Sequence, residues 1–315
     1  MNPSEVLLLV LAGVALFVHS LQGLSKQLQR LLAERVRQTV QRWTQYRWQG
    51  FLLGGVACAL LQSSSAVSAI VVGITDAGLI TLPAALSMVL GANVGTTVTA
   101  WVVTLKINHL GSIFLVLGVG LTFFRGGVYL LGRALFYFGL IFFSLELISG
   151  QLKLFQDFYT EQLMAYIADA GPALTALAGA LMTALVQSSS LTTGLAVLFA
   201  QYGLLDYPQA VSFVVGANVG TTTTALLASI SLNTTARQAA TANLLFNLVA
   251  AILFMPAVLL SQDWLVAQAL EPGILLALTH LSFNLFMALL FLPFTPRIAN
   301  WLRAHSHVSL LDKLP

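Results

Sequence analysis

The chain has 315 residues, of which 58% are hydrophobic and 8% charged, and its mean hydropathy is +0.88. A soluble domain carries about 25% charged residues, so the composition excludes an ordinary soluble enzyme. It indicates an all-α polytopic membrane protein, in which apolar runs of about 20 residues cross the bilayer as helices. The net charge of +3 does not indicate a nucleic-acid partner, because the basic residues gather in a few loops, as the positive-inside rule leads one to expect. The single cysteine, Cys58, rules out an intramolecular disulfide or a cysteine metal site and is expected to be a small buried residue.

In chain order, the first apolar run predicts a membrane helix over 5–22. It has no basic region before it and stays apolar through Phe17 and Val18, unlike a removed leader. An amphipathic stretch follows at 24–50, with Leu24, Leu28, Leu31, Leu32, Val36, Val40 and Trp43 on one face. It is expected to lie in the membrane interface with its basic residues toward headgroups. Residues 51–78 hold the polar string Gln62-Ser-Ser-Ser65, and a helix over 80–105 holds Gly91-Ala-Asn-Val-Gly-Thr-Thr97. Helices over 110–124 and 127–148 and an outer segment over 149–171 come next. Residues 173–204 repeat the string as Gln187–Ser190, and a helix over 208–231 repeats the second one as Gly216–Thr222. Helices over 237–261 and 273–295 and a basic tail with Arg297, Arg303 and Lys313 complete the chain.

Both strings recur at the same offset of 125 residues, with eleven identical positions. The chain therefore reads as two homologous halves, 1–125 and 126–262, followed by an extra helix and tail over 263–315. Duplication of this kind is common in secondary transporters. The segment after the first helix carries six Lys/Arg and its counterpart in the second half carries one. By the positive-inside rule they lie on opposite faces, which makes the repeat inverted and requires an odd number of spans per half. Each Gln-Ser-Ser-Ser segment then folds back as a re-entrant hairpin. The string lies about eleven residues into its segment, a helical rise of ~16 Å that reaches the middle of a ~30 Å hydrocarbon layer. The expected location is the cell (inner) membrane, with the N-terminus outside and the C-terminus cytoplasmic.

Polar groups at that depth are tolerated where they line a cavity or find partners. At each tip the second arm starts at the serines, so their N–H groups and hydroxyls sit at a helix N-terminus, which favours an anion. Two tips meeting would surround a small anion from both sides. The glycines around Asn93 and Asn218 weaken a helix, and both spans are expected to break there, exposing carbonyl, amide and hydroxyl oxygens suited to an alkali cation. Helix packing through Gly-x-x-x-Gly is the competing reading. No Lys, Arg or His falls within either motif. Helix ends contribute ~0.3–2 kcal/mol each, whereas an unpaired buried ion costs several kcal/mol, so co-bound cations are expected to supply the missing charge.

The paired strings resemble the sodium–phosphate cotransporter family, its type II members and their bacterial relatives, over residues 5–300. The resemblance implies an inverted-repeat transporter with two re-entrant hairpins that takes up inorganic phosphate with Na+ by alternating access. It implies phosphate binding by Ser63, Ser64, Ser65, Ser188, Ser189, Ser190, Asn93 and Asn218, and Na+ binding by Gln62, Gln187, Asn93, Thr96, Thr97, Asn218, Thr221 and Thr222. Animal type II members carry His-Asp and Phe-Asn after the first glycine motif. Here that helix reads INHLGSIFLVLGVGLTFF without an acidic residue, which puts a charge-carrying Na+ site in doubt. The soluble helical domain that ends many bacterial relatives has no counterpart before Pro315.

Asn243 and Asn247, and His280 and Asn284, are four apart and share a helix face. They are expected to bond between helices, with Asn247, His280 and Asn284 supporting the site from behind. Asp76 and Asp206 read as turn residues. No Gly-x-Ser frame or nearby base accompanies the serines, as a hydrolase would need, so no enzyme and no cofactor is expected. Other small anions (sulfate, arsenate, a carboxylate) and a non-transporting regulatory membrane protein are the alternatives. The expected partners are inorganic phosphate, Na+ and the lipid bilayer, without nucleic acid; neither motif specifies an oligomeric state.

Overall fold

Residues 3–43, 46–105, 110–168 and 170–305 are described by a computed structural model, and every regular element among them is helical. The side chains of Val36, Val40 and Trp43, and all of Lys313, lie outside the described residues. The first half comprises α1 (Pro3–Trp43), α2 (Arg47–Leu61), α3 (Ser64–Asp76), α4 (Leu82–Gly95), α5 (Val98–Thr104) and α6 (Leu110–Leu121). The second comprises α7 (Gly127–Ala168), α8 (Pro172–Val186), α9 (Ser189–Gln201), α10 (Tyr207–Ser229) and α11 (Thr234–Val266). The chain closes with α12 (Pro272–Phe291), a 3-10 turn and α13 (Thr295–Ala304). Among the described residues, six stretches are long and apolar enough to cross a membrane: Ser4–Leu32, Leu82–Thr104, Gly127–Gln151, Tyr207–Ser229, Thr234–Ala267 and Pro272–Ala304.

The repeat is visible residue for residue. Adding 125 to the bounds of α2 and α3 gives those of α8 and α9, and the span of α4 and α5 maps onto α10. The repeat is also inverted. α1 and its mate α7 pack antiparallel: Gly13 faces Ile148 and Gly23 faces Tyr137, so the contact falls along α7 as it rises along α1. The hairpin ends confirm the inversion. At one face, Arg47 Nη1 donates to Pro293 O at 2.6 Å, and Asn233, the N-cap of α11, bonds Asp76 through N–H to Oδ1 at 2.7 Å and Nδ2 to O at 2.8 Å. At the other, Gln209 Nε2 donates to Ala170 O at 3.3 Å and Gln201 Nε2 to Glu271 Oε1 at 2.8 Å. Both ends of hairpin α2–α3 thus lie with one set of helix ends, and both ends of hairpin α8–α9 with another.

Four expectations are corrected. The stretch 24–50 is not a separate interfacial helix through most of its length, because α1 runs unbroken for 41 residues, about 60 Å. The outer segment over 149–171 likewise continues α7 for 42 residues; neither join holds a proline or a left-handed residue to break the ladder. The helix expected at 110–124 is shortened to the 12-residue α6, about 18 Å long; it runs antiparallel to α7 through Gly111, Gly118 and Gly139 and carries the chain back to the start of α7. Lastly, the glycine motif does not break both spans. α10 is continuous through Gly216–Thr222, and the first copy is interrupted only at Thr96 and Thr97, which keep right-handed helical angles.

The glycines serve packing instead. A Cβ at Gly91 would lie 1.8 Å from the Phe51 carbonyl oxygen, and one at Gly95 2.2 Å from that of Gly55. In the second half a Cβ at Gly216 would lie 1.8 Å from Ala176 O and one at Gly220 2.3 Å from Ala180 O. Each span thus lies directly on the first arm of the hairpin in its own half.

Candidate functional site

Each hairpin reverses at its glutamine. Gln62 (φ 50, ψ 35) and Gln187 (φ 56, ψ 32) adopt the left-handed conformation. This is costly for a residue with a Cβ, and both halves keep it. It ends α2 and α8, returning N–H bonds to Cys58 O at 2.8 Å and Thr183 O at 2.7 Å. The next residue starts the return helix: Ser63 Oγ accepts from Ala66 N–H at 3.1 Å and Ser188 Oγ from Leu191 N–H at 3.4 Å, the usual serine N-cap.

The tips meet. Ser64 and Ser189 are repeat mates, both buried, and their hydroxyls lie 3.2 Å apart. A pair of equivalent residues in mutual contact marks the pseudo-two-fold axis. One hydroxyl donates to the other, leaving one proton for a ligand. Ser65 Oγ donates to Gln187 O at 3.4 Å. Gln62 Nε2 donates to Ala59 O at 2.6 Å, which orients the amide so that Oε1 accepts from Thr99 Oγ1 at 3.0 Å. With that proton used, the 3.1 Å bond between Thr99 and Ser190 has Ser190 as donor. Thr99 therefore joins both halves. The sequence reading missed it, although Thr recurs at its mate Thr224 just beyond the repeated string.

A cavity of about 190 Å³ opens at the tips, lined by Gln62–Ser65, Gln187–Ser190, Val186 and five α1 residues: Leu21, Gln22, Ser25, Lys26 and Gln29. Two N-termini, α3 and α9, border it, and no acidic side chain is among the described lining residues. One basic residue, the exposed Lys26, is part of its lining, beside the motifs that themselves hold none. Counted in sequence as one of six basic loop residues, Lys26 sits within the unbroken α1.

The glycine motifs lie elsewhere. Asn93, Asn218, Thr96, Thr97, Thr221 and Thr222 are all buried, and none lines the cavity. Asn93 Nδ2 donates to Asn243 Oδ1 at 3.2 Å, and Asn247 Nδ2 donates to Asn243 O at 2.9 Å and Oδ1 at 3.1 Å. Asn218 Nδ2 donates to Asn284 Oδ1 at 3.3 Å, and its own Oδ1 faces His280 Nε2 at 3.3 Å. An amide oxygen only accepts, so Nε2 carries the proton and the buried Nδ1, which has no partner among the described residues, is bare. The three supporting residues are thus divided: Asn247 stands behind Asn93, and His280 and Asn284 behind Asn218. Thr97, Thr221 and Thr222 spend their protons on carbonyls of their own helix, at 2.8, 2.9 and 2.7 Å.

The sequence matches the Na+/Pi-cotransporter family twice, over residues 16–150 and 152–287. The chain belongs to that family. Among Na+/Pi-cotransporter relatives, the uncharacterized Bacillus subtilis protein YqeW is 30% identical over 254 residues, covering 80% of this chain and 82% of its own. YjbB of Escherichia coli, provisionally named an inorganic phosphate export protein, is 31% identical over 254 residues, 79% of this chain and 46% of its own. The Salmonella typhimurium protein of the same name is 30% identical over the same length. The chain thus spans about half the length of the YjbB proteins. No solved structure matches it.

Proposed function

We propose that this Na+/Pi-cotransporter family member is a secondary transporter that carries inorganic phosphate across the cell membrane with Na+ by alternating access. The observation that carries the reading is the Ser64–Ser189 contact on the pseudo-two-fold axis, at two helix N-termini bordering the cavity. N–H groups, serine hydroxyls and an ammonium are all donors, the chemistry of an oxyanion site. The exposed Lys26 at the cavity offsets part of one negative charge. The second charge of a phosphate dianion still requires a partner, because burying it unpaired costs several kcal/mol. Na+ is the partner proposed, held by the amide, hydroxyl and carbonyl oxygens around the tips and around Asn93 and Asn218. The basic residues of α1 support an orientation with the C-terminus in the cytoplasm.

Direction follows from coupling. If Na+ binds with phosphate, the inward Na+ gradient drives uptake; the name of YjbB states export for that protein. Labelled-phosphate flux in proteoliposomes, with the Na+ gradient set in either direction or Na+ replaced by choline, tests both. Flux that follows the Na+ gradient and collapses in choline is expected. Equal flux in choline refutes Na+ coupling, and flux of sulfate or a dicarboxylate but not phosphate refutes the substrate.

A further inference from the structure

The cavity is one-sided although the tips that border it are matched. Both tips contribute the same four residues, whereas α1 contributes Gln22, Ser25, Lys26 and Gln29 and none of the described α7 side chains lines it. Those four fall at i, i+3, i+4 and i+7, a single stripe of helix. The stripe is docked on the tip itself: Gln29 Nε2 donates to Ser25 Oγ at 2.9 Å, and Ser25 Oγ donates to Leu61 O at 3.2 Å, one residue before the reversal. Lys26 makes no ion pair among the described residues, and every other lining side chain is neutral. In the second half the stripe becomes Leu147, Gly150, Gln151 and Leu154, so the position of Lys26 itself is taken by the neutral Gln151, with Lys153 two residues on and off the stripe.

Resting on the phosphate reading, we propose that Lys26 is a fixed countercharge for the transported anion that acts from one face only. In the state described here the cavity opens along the α1 stripe, and phosphate entering it meets two helix N-termini and an ammonium, which binds phosphate as a point charge. When the halves exchange conformations, the opening moves to the α7 side, where Gln151 holds the equivalent place without a charge. Phosphate is then held more weakly, so the face bearing Lys26 binds it more tightly than the opposite face. The lysine supplies one charge that a co-bound cation would otherwise provide.

The test measures the KM for labelled phosphate separately at each face, in proteoliposomes of defined protein orientation. Lys26→Gln is expected to raise KM at the Lys26 face by about tenfold, the scale of one charge-assisted hydrogen bond, and to leave the opposite face within about twofold. Lys26→Arg keeps the wild-type ratio between the faces. Lys26→Cys provides a check on folded protein, since Cys58 is buried: an aminoethyl thiosulfonate reagent restores a positive charge and the low KM, and a neutral methyl reagent does not. An equal rise at both faces, no rise, or rescue by the neutral reagent overturns the proposal while phosphate transport by the wild type stands. A wild type that moves no phosphate removes the transport reading and the lysine's role with it.

Discussion

Replacing Gly91 by alanine puts a methyl group 1.8 Å from the carbonyl oxygen of Phe51, and Gly216→Ala does the same against Ala176. Ordinary contact needs about 3.5 Å, so the two helices must part by more than 1 Å locally. The obstacle is helical backbone and cannot swing aside as a long side chain would. Overpacking of this kind costs about 1–3 kcal/mol, and the rigid neighbour puts both variants near the upper figure. At roughly 2 °C per kcal/mol for a chain of this size, each is expected to melt about 6 °C lower in detergent. Gly73→Ala is the control. It lies within α3 with nothing within 4 Å of its Cβ position, and replacing a helical glycine by alanine gains about 0.5–1 kcal/mol. If Gly91→Ala and Gly216→Ala melt with Gly73→Ala, the spans do not lie on the hairpin arms, and the packing role of the glycine motif is wrong.

Ser64→Ala and Ser189→Ala are each expected to lower the kcat/KM for phosphate about tenfold or more, the scale of one hydrogen bond to a charged group. A site that used a single serine would leave one of the two variants active. The inverted topology is checked with Ala77→Cys, at the end of the first hairpin, and Asp206→Cys, at the N-cap of α10 just after the second. An impermeant thiol reagent should reach Asp206→Cys on intact cells and Ala77→Cys only after permeabilisation; labelling of both from one side contradicts the inversion.

The hairpins were legible because the chain states them twice. Gln-Ser-Ser-Ser sits at the same depth in both copies, and a polar string in the middle of an apolar run has few folded solutions in a membrane. The glycine motif was legible as a unit but not in its role. Missing Cβ atoms permit either a bend or a close approach, and only the neighbour decides between them. That neighbour is Phe51 for Gly91, some forty residues earlier in the chain. Lys26 was obscured by the opposite problem. The amphipathic pattern after residue 22 reads as a new surface helix, yet local sequence contains no signal for whether α1 stops or continues. Its continuation lays the lysine beside the tip. Thr99 was overlooked because it lies two residues beyond the repeated string, where the identical threonine at 224 was the available signal.

The two halves share a sequence pattern at the tips but not a set of hydrogen bonds, and the mismatch has a conformational reading. Thr99 Oγ1 is satisfied by Gln62 Oε1 and Ser190 Oγ, whereas its mate Thr224 keeps a buried Oγ1 without a partner among the described residues. If transport exchanges the conformations of the halves, Thr224 gains Gln187 and Ser65 in the opposite state and Thr99 becomes the orphan. Each state then holds one satisfied and one unsatisfied threonine, which keeps the two near equal energy. Thr224→Val removes the orphan here and two bonds from the opposite state. At ~1 kcal/mol net per bond, that alone shifts the ratio by on the order of 30-fold toward the state open to Lys26; Thr99→Val shifts it the other way. Reagent access to Lys26→Cys should therefore rise with Thr224→Val and fall with Thr99→Val, while turnover falls in both. Access that changes in the same direction for both variants would show that the threonines are structural and that the halves do not trade places through them.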